Sequence, residues 1–320
     1  MAHTTSHQPT LVPRVTTPII IPYFKPIVRR LNGISLKRHY EKLCRAHQIQ
    51  RPILLTTWPS AVDFVKSVDA APKIYYCVDD WPHYPGLNSS DWRQMEEDLL
   101  EHTDAIVATS SDLVKKGRPD RATLYLPQGV DFDHFRRGAD CREPIAALEE
   151  IPRPIVGFFG LVSSWVDLQL LSRLSEHFPN VSFVIIGRSE LDLSLLRKKP
   201  NVYCLGAVAY ADLPQYARYF DVGLIPFVID RLTRAVNPLK LYEYFALGLP
   251  VLATRLPELE RIEGPIELAS TPNEFCEKLR VLMARRSLAR EQEAISIASV
   301  NTWRRRAEQF SVFLGTVAFN

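Results

Sequence analysis

A lysine and a glutamate one helical turn apart, Lys240 and Glu243, are the residues whose types and spacing most favour chemistry. They fall within residues 237–254, where the pattern predicts a helix followed by a short apolar strand. Asn237 is predicted as the N-cap of this helix and Pro238 as its first residue. At such a helix N-terminus, lysine and unpaired N–H groups can neutralise phosphate, while a carboxylate can accept both hydroxyls of a ribose. The alternative is an ordinary i,i+3 surface pair.

Short apolar runs alternate with longer amphipathic stretches, and this alternation predicts an α/β fold with parallel sheets covered by helices. The first series of strands is predicted at residues 19–21, 53–57, 73–78, 105–109 and 123–126. The second series is predicted at residues 155–159, 183–186, 202–205, 222–226, 251–253 and 266–268. Helices are predicted at residues 91–102, 166–177 and 213–219, and the Glu243 helix is expected to end at Gly248. A polar, acidic segment places the domain boundary near residue 150.

Composition limits the protein class. With 320 residues, 46% hydrophobic and 23% charged, the chain is long enough for two ordinary globular cores. No apolar run approaches the roughly 20 residues that a membrane-spanning helix needs. Residues 1–18 lack the apolar core of a signal peptide and are interpreted as a disordered tail. Five scattered cysteines favour buried thiols in the cytoplasm over disulfides or a zinc site.

Positive charge is concentrated in the first part of the chain. Residues 1–70 carry ten Lys and Arg against three acids, although the net charge is only +3. This excess suggests an anionic neighbour, such as a membrane surface or a lipid-phosphate acceptor, and therefore a peripheral position at the inner face of the membrane. A solvated basic face is the alternative. Nucleic acid is disfavoured because no binding motif accompanies the charge.

Two further strand ends of the second series carry candidates for phosphate binding. Residues 163–167 follow the strand at 155–159, with Ser164 predicted as N-cap and Asp167 three residues on. The N–H groups of this turn, which begins at Ser163, are candidates for holding phosphate oxygens, although a plain helix cap explains the pattern equally well. Arginines near two other strand ends could pair with a diphosphate or lie on the surface, and they are Arg188, Arg231 and Arg234.

Adjacent acids, Asp79 and Asp80, end the strand predicted at residues 73–78. Carboxylates in this position favour a general-base role or a metal site, and loop acids that cap the next element are the alternative. The pair Asp131 and Asp133 is too common a pattern to predict a metal site, and none is predicted. The sequence shows no Ser/His/Asp triad, zinc spacing, P-loop or Gly-x-Gly-x-x-Gly turn, which disfavours those classes.

Aromatic rings lie just beyond several strand ends. Trp58, His83 and Trp165 are each placed where a ring could contact the face of a sugar. Packing within the protein is the alternative for each of them.

Four segments together resemble the GT-B glycosyltransferases, in particular the large retaining family 4. They are residues 126–131 with Phe135, residues 156–160 with Trp165 and Asp167, residues 220–227, and residues 237–254. Residues 303–307 further resemble the C-terminal helix that crosses back to the first domain in this fold. The resemblance implies two Rossmann-like domains facing a central cleft. These are an acceptor-side domain over residues 19–150, a nucleotide-sugar-binding domain over 151–302, and the crossing helix over 303–320.

The resemblance also implies a reaction. A sugar would pass, with retention at its anomeric carbon, from a UDP- or GDP-type nucleotide-sugar to a glycan or lipid-linked acceptor in polysaccharide assembly, without a metal or other cofactor. Glu243 matches the second glutamate of the family's Glu-x7-Glu motif, which holds the donor ribose. The first glutamate of that motif falls on Ala235, and Asn237 or Arg234 would have to replace it.

Other positions depart from the family's pattern. The Arg and Lys that usually follow Gly160 are absent, so Arg188, Arg234 and Lys240 would supply the charge for the diphosphate. Asp79 or Asp80 stands where the family often has a histidine and would face the sugar or the acceptor.

The N-terminal part departs furthest from the family. No glycine precedes Gly33, and the usual first strand and glycine-rich loop are not recognisable, so the first domain is expected to be short or remodelled. A non-catalytic GT-B subunit that binds a nucleotide or a partner is the alternative function, favoured by this domain and by Ala235. A sugar-nucleotide epimerase is a weaker alternative, because its acid/base carboxylates are not evident.

Overall fold

Two separate parallel sheets form the framework of the protein in a computed structural model that describes residues 15–21, 25–284 and 287–318. The first sheet has the order β1-β2-β3-β4, with β1 (Leu54–Thr56), β2 (Lys73–Cys77), β3 (Ala105–Ala108) and β4 (Ala122–Tyr125). The second has the order β10-β9-β8-β5-β6-β7, with β5 (Ile155–Phe159), β6 (Ser182–Ile186), β7 (Val202–Gly206), β8 (Val222–Ile225), β9 (Val251–Thr254) and β10 (Ile266–Ala269). All pairings are parallel, and the predicted α/β fold class is confirmed.

Helices connect and cover these strands. Those before β5 are α1 (Pro26–Ala46), α2 (Val62–Ser67), α3 (Ser89–Glu101), α4 (Ser111–Val114), α5 (Phe132–Asp140) and α6 (Ala146–Glu149). Those after β5 are α7 (Leu168–His177), α8 (Ser194–Arg197), α9 (Leu213–Ala217), α10 (Arg231–Arg234), α11 (Leu239–Ala246), α12 (Pro272–Ala284), α13 (Leu288–Val300) and α14 (Trp303–Ala318). Single 3-10 turns occur at Pro59–Ala61, Trp81–His83 and Leu259–Arg261. No helix in the described ranges is long and apolar enough to span a bilayer.

The two faces of the first sheet are covered by helices from different parts of the chain. Its strands follow one another in sequence, and right-handed crossovers therefore place the connecting helices on one face. Tyr75 and Cys77 of β2 point to that face and pack with Trp92 and Met95 of α3. The opposite face is covered by α14, which packs four apolar residues, Phe310, Phe313, Leu314 and Val317, against the sheet. The C-terminal helix thus completes the core of the first domain.

The second sheet is doubly wound, with its strand order reversing between β5 and β8. Open sheets of this kind bind ligands in the crevice at the carboxyl ends of the strands at this switch point. The segment after β5 and the segment after β8 flank the crevice, and Val166 pairs with Phe227 across it.

Two crossing segments join the domains side by side. The Val130 N–H donates to the Asn301 carbonyl at 2.9 Å, and the Trp303 N–H donates to the Val130 carbonyl at 3.2 Å. Gly129 permits this approach, because a Cβ at that position would lie 2.8 Å from the Trp303 nitrogen. The domain limits predicted from sequence remain a prediction, but Val130, Phe135 and Leu148 already pack in the core of the second domain.

The N-terminal region differs from its prediction. Residues 19–21 do not form a strand, because their backbone groups bond to side chains of α1 instead of to a sheet. The helix α1, which precedes β1, was not predicted. Most of the predicted tail, residues 1–14, lies outside the described residues.

Candidate active site

The helix α11 brings Lys240 and Glu243 to the carboxyl edge of the second sheet. Pro238, not Asn237, is its N-cap, and no side chain caps it, so the predicted cap at Asn237 is wrong. The Asn237 amide is engaged elsewhere, accepting from the Gln128 N–H at 3.2 Å and donating to Glu258 at 3.4 Å. The predicted stop at Gly248 is confirmed by its φ of 77°. The helix N-terminus is therefore directed at the crevice without a protein cap.

Lys240 lies directly over Gly160. The glycine has a φ of 121°, and a Cβ there would lie 2.5 Å from the lysine Cε and 2.8 Å from its Nζ. The ammonium sits 5.5 Å from the centre of the Phe158 ring and 5.7 Å from that of Phe227. Burial lowers the pKa of Lys240, and the nearby Glu243 carboxylate opposes this effect. The lysine thus occupies an aromatic-lined position that only a glycine at 160 leaves open.

Glu243 is a buried carboxylate that is not satisfied by the protein. It is 4% exposed, and within the described part of the chain its oxygens have neither a hydrogen-bond donor nor an ion-pair partner within 4.0 Å. Burial raises its pKa to about 7, with Lys240 acting in the opposite direction. The Glu243 oxygens are not among the fully enclosed, unpartnered polar atoms of the described residues, so a ligand can reach them, and one that brings two hydroxyl groups would supply the missing donors.

A cleft of about 210 Å³ between the domains adjoins Lys240. Asp79 and Tyr84 line it from the first domain, and Trp165 and Phe227 line it from the second. The rings of Tyr84 and Trp165 face each other across the domains with centroids 6.0 Å apart. The remaining lining residues are Leu232, Val236, Asn237, Pro238 and Leu239. The cleft therefore combines aromatic rings, a lysine and a carboxylate.

The two adjacent acids of the first domain take different places. Asp79 lines the cleft, and burial raises its pKa to about 6, with Asp80 adding to the rise and Lys116 opposing it. Asp80 is instead held by two partners, accepting from Lys116 at 2.8 Å and contacting the Nδ1 of His83 at 2.5 Å. Asp79 is thus the acid of the pair that lines the ligand cleft.

His83 connects the two domains through this network. Its Nε2 lies 3.4 Å from a guanidinium nitrogen of Arg231, which can only donate, so Nε2 accepts and Nδ1–H donates to Asp80. Lys116 also bonds to the buried Glu96 at 2.8 Å, and the Tyr75 hydroxyl donates to Glu96 at 2.7 Å. His83 and Asp80 therefore position the domain interface and the segment that carries Asp79.

Replacing Lys116 by methionine should lower the free energy of unfolding by roughly 3 kcal/mol, because the buried Glu96 and the partly buried Asp80 would be left without their cation. Lys115→Met is the matched control. Lys115 is its neighbour. Its side chain is 75% exposed and, among the described residues, pairs with Asp112 alone, so the loss should stay below about 0.5 kcal/mol. Urea unfolding of both variants measures the difference, and equal losses would contradict the structural role of the network.

The other predicted residues lie outside this cleft or at its margin. Arg188 is exposed, pairs with Glu190 at 3.4 Å, and lines a separate cavity of about 330 Å³ beyond β6 and β7. Arg234 is exposed in α10, and Ser163 is buried at 5% exposure. The predicted cap at Ser164 is wrong, because Asp167 caps α7 by accepting from the Leu170 N–H at 2.8 Å.

Three other sequence candidates have structural explanations. Asp131 caps α5 by accepting from the His134 N–H, and the described residues contain no group of three or more His, Cys, Asp or Glu placed to hold a metal. Trp58 packs edge-on against Trp81, with ring centroids 4.3 Å apart. Ala235 is 1% exposed and packs in the core of the first domain, so no side chain from this position reaches the cleft.

Sequence reasoning missed several functional positions. Glu258 is 2% exposed and joins the domains by accepting from the Ser111 N–H at 2.6 Å and the Tyr125 hydroxyl at 2.7 Å. Tyr84 and Phe227 of the cleft were missed as well. Phe227 could have been indicated by its position just past a strand. Glu258 could not, because its partners Ser111 and Tyr125 are more than 130 residues away in sequence.

The architecture matches known structures along most of the chain. The structure of Anabaena Alr3699/HepE in complex with UDP and glucose aligns with a TM-score of 0.67 and 16% identity over 92% of this chain and 84% of that chain. The alpha,alpha-trehalose 6-phosphate synthase of Burkholderia multivorans aligns with a TM-score of 0.68 and 13% identity over 91% of this chain and 76% of that chain. The fold is GT-B.

Sequence comparisons agree with the GT-B fold. Residues 153–285 match the family described as "Glycosyl transferases group 1", a range that contains the second sheet, Lys240 and Glu243. A curated relative, the "Putative teichuronic acid biosynthesis glycosyltransferase TuaH" of Bacillus subtilis (strain 168), is 26% identical over 211 residues. The match covers 60% of this chain and about half of the relative, 52% of its length. The predicted resemblance to GT-B glycosyltransferases is confirmed.

Proposed function

We propose that this GT-B protein is a retaining glycosyltransferase that moves a sugar from a nucleotide-sugar to a glycan or lipid-linked acceptor in cell-envelope polysaccharide assembly. The observation that carries the proposal is Glu243, a carboxylate that is 4% exposed and lacks any hydrogen-bond donor in the described part of the chain. The two hydroxyls of a donor ribose would supply those donors. The name of the curated relative, a glycosyltransferase of teichuronic acid biosynthesis, supports the acceptor class.

Lys240 and the N-terminus of α11 are assigned to the donor diphosphate. The ammonium lies beside the uncapped helix N-terminus, where N–H groups and the helix dipole favour negative charge. A diphosphate would return to Lys240 the solvation that burial removes. Because the leaving group gains charge as the glycosidic bond breaks, this contact strengthens in the transition state and accelerates the transfer.

The acceptor is assigned to the first-domain side of the cleft, near Asp79 and Tyr84. An acceptor oxygen forms its bond to the anomeric carbon on the face from which the diphosphate leaves, and the acceptor proton passes to the leaving phosphate oxygen. Asp79 is proposed to orient a sugar or acceptor hydroxyl by accepting its hydrogen bond, which requires the carboxylate that predominates above about pH 6. Trp165 offers a ring to the sugar face.

We place the protein in the cytoplasm at the inner face of the membrane, where a lipid-linked acceptor would be reached. All five cysteines, each within the described ranges, are free thiols, which supports a reducing compartment. The excess of positive charge in residues 1–70, ten Lys and Arg against three acids, supports contact with anionic lipid.

A donor panel tests the proposal. Calorimetric titration with UDP, GDP and dTDP should identify one nucleotide that binds, and the corresponding sugar nucleotides should be hydrolysed slowly without acceptor. Turnover should persist in EDTA, because Lys240 and α11 are assigned the charge of the diphosphate. Absence of binding by all three nucleotides would overturn the donor site. Binding without turnover, with or without candidate acceptors, would overturn the enzymatic function.

A further inference from the structure

The helix α1 presents one face to solvent that is divided into an apolar and a basic half. Its other face packs on α2, and Gly33 is the buried point of this contact. Along the exposed face, at intervals of three or four residues, the apolar half contains Ile27, Leu31 and Ile34, with the exposed Arg30 at its margin. The same line continues through a basic half formed by Arg38, Lys42 and Arg45. Exposures of 74% for Ile27 and 52% for Leu31 leave these aliphatic side chains largely in water.

An extended segment enlarges the apolar half. The Ile21 N–H donates to the Asn32 side chain at 2.8 Å, and the Asn32 amide donates back to the Ile21 carbonyl at 2.9 Å. The Ser35 hydroxyl donates to the Ile19 carbonyl at 2.8 Å. These bonds hold three further exposed aliphatic residues beside the helix, Ile19, Ile20 and Ile21. The nine residues of this surface, six aliphatic and three basic, are called the α1 patch.

Charge on α1 is strongly one-sided. The helix carries six Lys and Arg against one acid, Glu41. Glu41 lies 4.0 Å from Lys37 and 3.9 Å from Arg45 and offsets one of these charges. Arg29 is neutralised by Asp63 at 2.5 Å, on the side that faces α2. The net charge of the exposed face is therefore positive.

We propose that the α1 patch docks on an anionic lipid bilayer, with its apolar half inserted among the acyl chains and its basic half on the headgroups. A bilayer surface offers an apolar layer next to an anionic one, which is the order of the two halves along the helix. A second copy of the chain fits poorly. In an antiparallel pair each apolar half would face a basic half, and in a parallel pair the basic halves would face each other.

This inference rests on the proposed function and deepens it. The α1 patch would hold the acceptor-side domain at the membrane surface that carries a lipid-linked acceptor. Docking itself requires no donor and no catalysis. Vesicle binding in the absence of nucleotide is therefore independent of the catalytic assignment.

The test measures how much protein sediments with anionic vesicles, made of equal parts phosphatidylglycerol and phosphatidylethanolamine. Vesicles of phosphatidylcholine, which carry no net charge, serve as the comparison. The wild-type protein should bind the anionic vesicles, and binding should weaken as salt is added. The double variant Arg38→Glu, Lys42→Glu and the triple variant Ile27→Ser, Leu31→Ser, Ile34→Ser should each lose roughly tenfold or more in affinity. The matched control replaces three exposed aliphatic residues elsewhere by serine, Leu288, Val300 and Val312, and should bind as the wild type does.

Several outcomes would overturn the docking proposal. The first is that the wild-type protein does not bind anionic vesicles. The second is that the triple variant and its control lose vesicle affinity equally. The third is that the wild type is a dimer in solution whereas the triple variant is a monomer. Thermal melting and nucleotide titration of each variant should match the wild type, which shows that fold and donor site are intact. Vesicle binding by a protein that binds no nucleotide would support docking and contradict the proposed function, so the two failures are distinguishable.

Discussion

Replacing Glu243 by glutamine should weaken nucleotide binding and, at the same time, stabilise the ligand-free protein. The loss of affinity is expected to be roughly 10- to 100-fold, the usual cost of removing hydrogen bonds to a charged group. The gain in stability follows from burial, because the carboxylate is 4% exposed and within the described residues has no donor. Glutamine keeps the shape of the side chain and removes the charge.

The gain in stability should depend on pH. Burial raises the pKa of Glu243 from 4.5 to about 7 in the folded protein. Because the folded-state pKa is raised, the neutral carboxyl favours the folded state. This stability is fully present below about pH 4.5 and is lost as the pH rises through about 7. At pH 8 the ionised carboxylate should therefore cost about 3 kcal/mol, and the glutamine variant should avoid this cost. Near pH 5 the two proteins should melt at similar temperatures.

Glu258→Gln provides the matched control. This glutamate is equally buried, at 2% exposure, but accepts from the Ser111 N–H and hydroxyl and from Tyr125. Its replacement should lower the free energy of unfolding by about 1–3 kcal/mol, because those buried donors lose a charged acceptor. Thermal melts at pH 5 and pH 8, with nucleotide titrations, measure both variants. Equal destabilisation by the two changes would show that Glu243 is also a structural residue.

Replacing Lys240 by methionine should reduce kcat/KM by roughly 100- to 1000-fold, the usual cost of removing a group that stabilises transition-state charge. The fold should tolerate the change, because the ammonium rests against the Phe158 and Phe227 rings, where a methionine also packs well. We expect kcat to fall as well as KM to rise, since the diphosphate gains charge when it leaves.

Steady-state kinetics on the Lys240 variant should be compared with Lys199→Met. Lys199 is ion-paired with Glu176 and lies just before β7, at the opposite edge of the second sheet. That control should retain the wild-type kcat/KM. An unchanged rate for Lys240→Met would mean that another cation neutralises the diphosphate, and Arg188→Met and Arg234→Met would identify it.

Strand positions were predictable because buried parallel strands leave a strong sequence signal. Ten of the eleven strands predicted along the chain are present, and every end of these ten lies within one residue of its predicted position. The exception, residues 19–21, is an apolar run that bonds to Asn32 and Ser35 of α1 and has no strand beside it. An apolar run alone does not show whether a neighbouring strand exists, since pairing depends on distant parts of the chain.

The candidate site was predictable in part. Lys240 and Glu243 were identified because a helix N-terminus with this spacing is a local feature of the sequence. Asn237 was misassigned as the cap because its amide bonds to Gln128 and Glu258, which are distant in sequence and come close only in the folded protein. Asp79 rather than Asp80 lines the cleft because Lys116 holds Asp80, and no local sequence pattern reveals the position of Lys116. Contacts between distant parts of the chain therefore decided what sequence periodicity left open.

A binding cycle tests most directly whether Glu243 holds the ribose of the donor. The nucleoside diphosphate selected by the donor panel and its 2′,3′-dideoxy analogue are titrated into the wild type and into Glu243→Gln. The wild type should bind the natural nucleotide at least about tenfold more tightly than the analogue, and the variant should bind both equally weakly. The same preference for the ribose hydroxyls in both proteins would contradict the account.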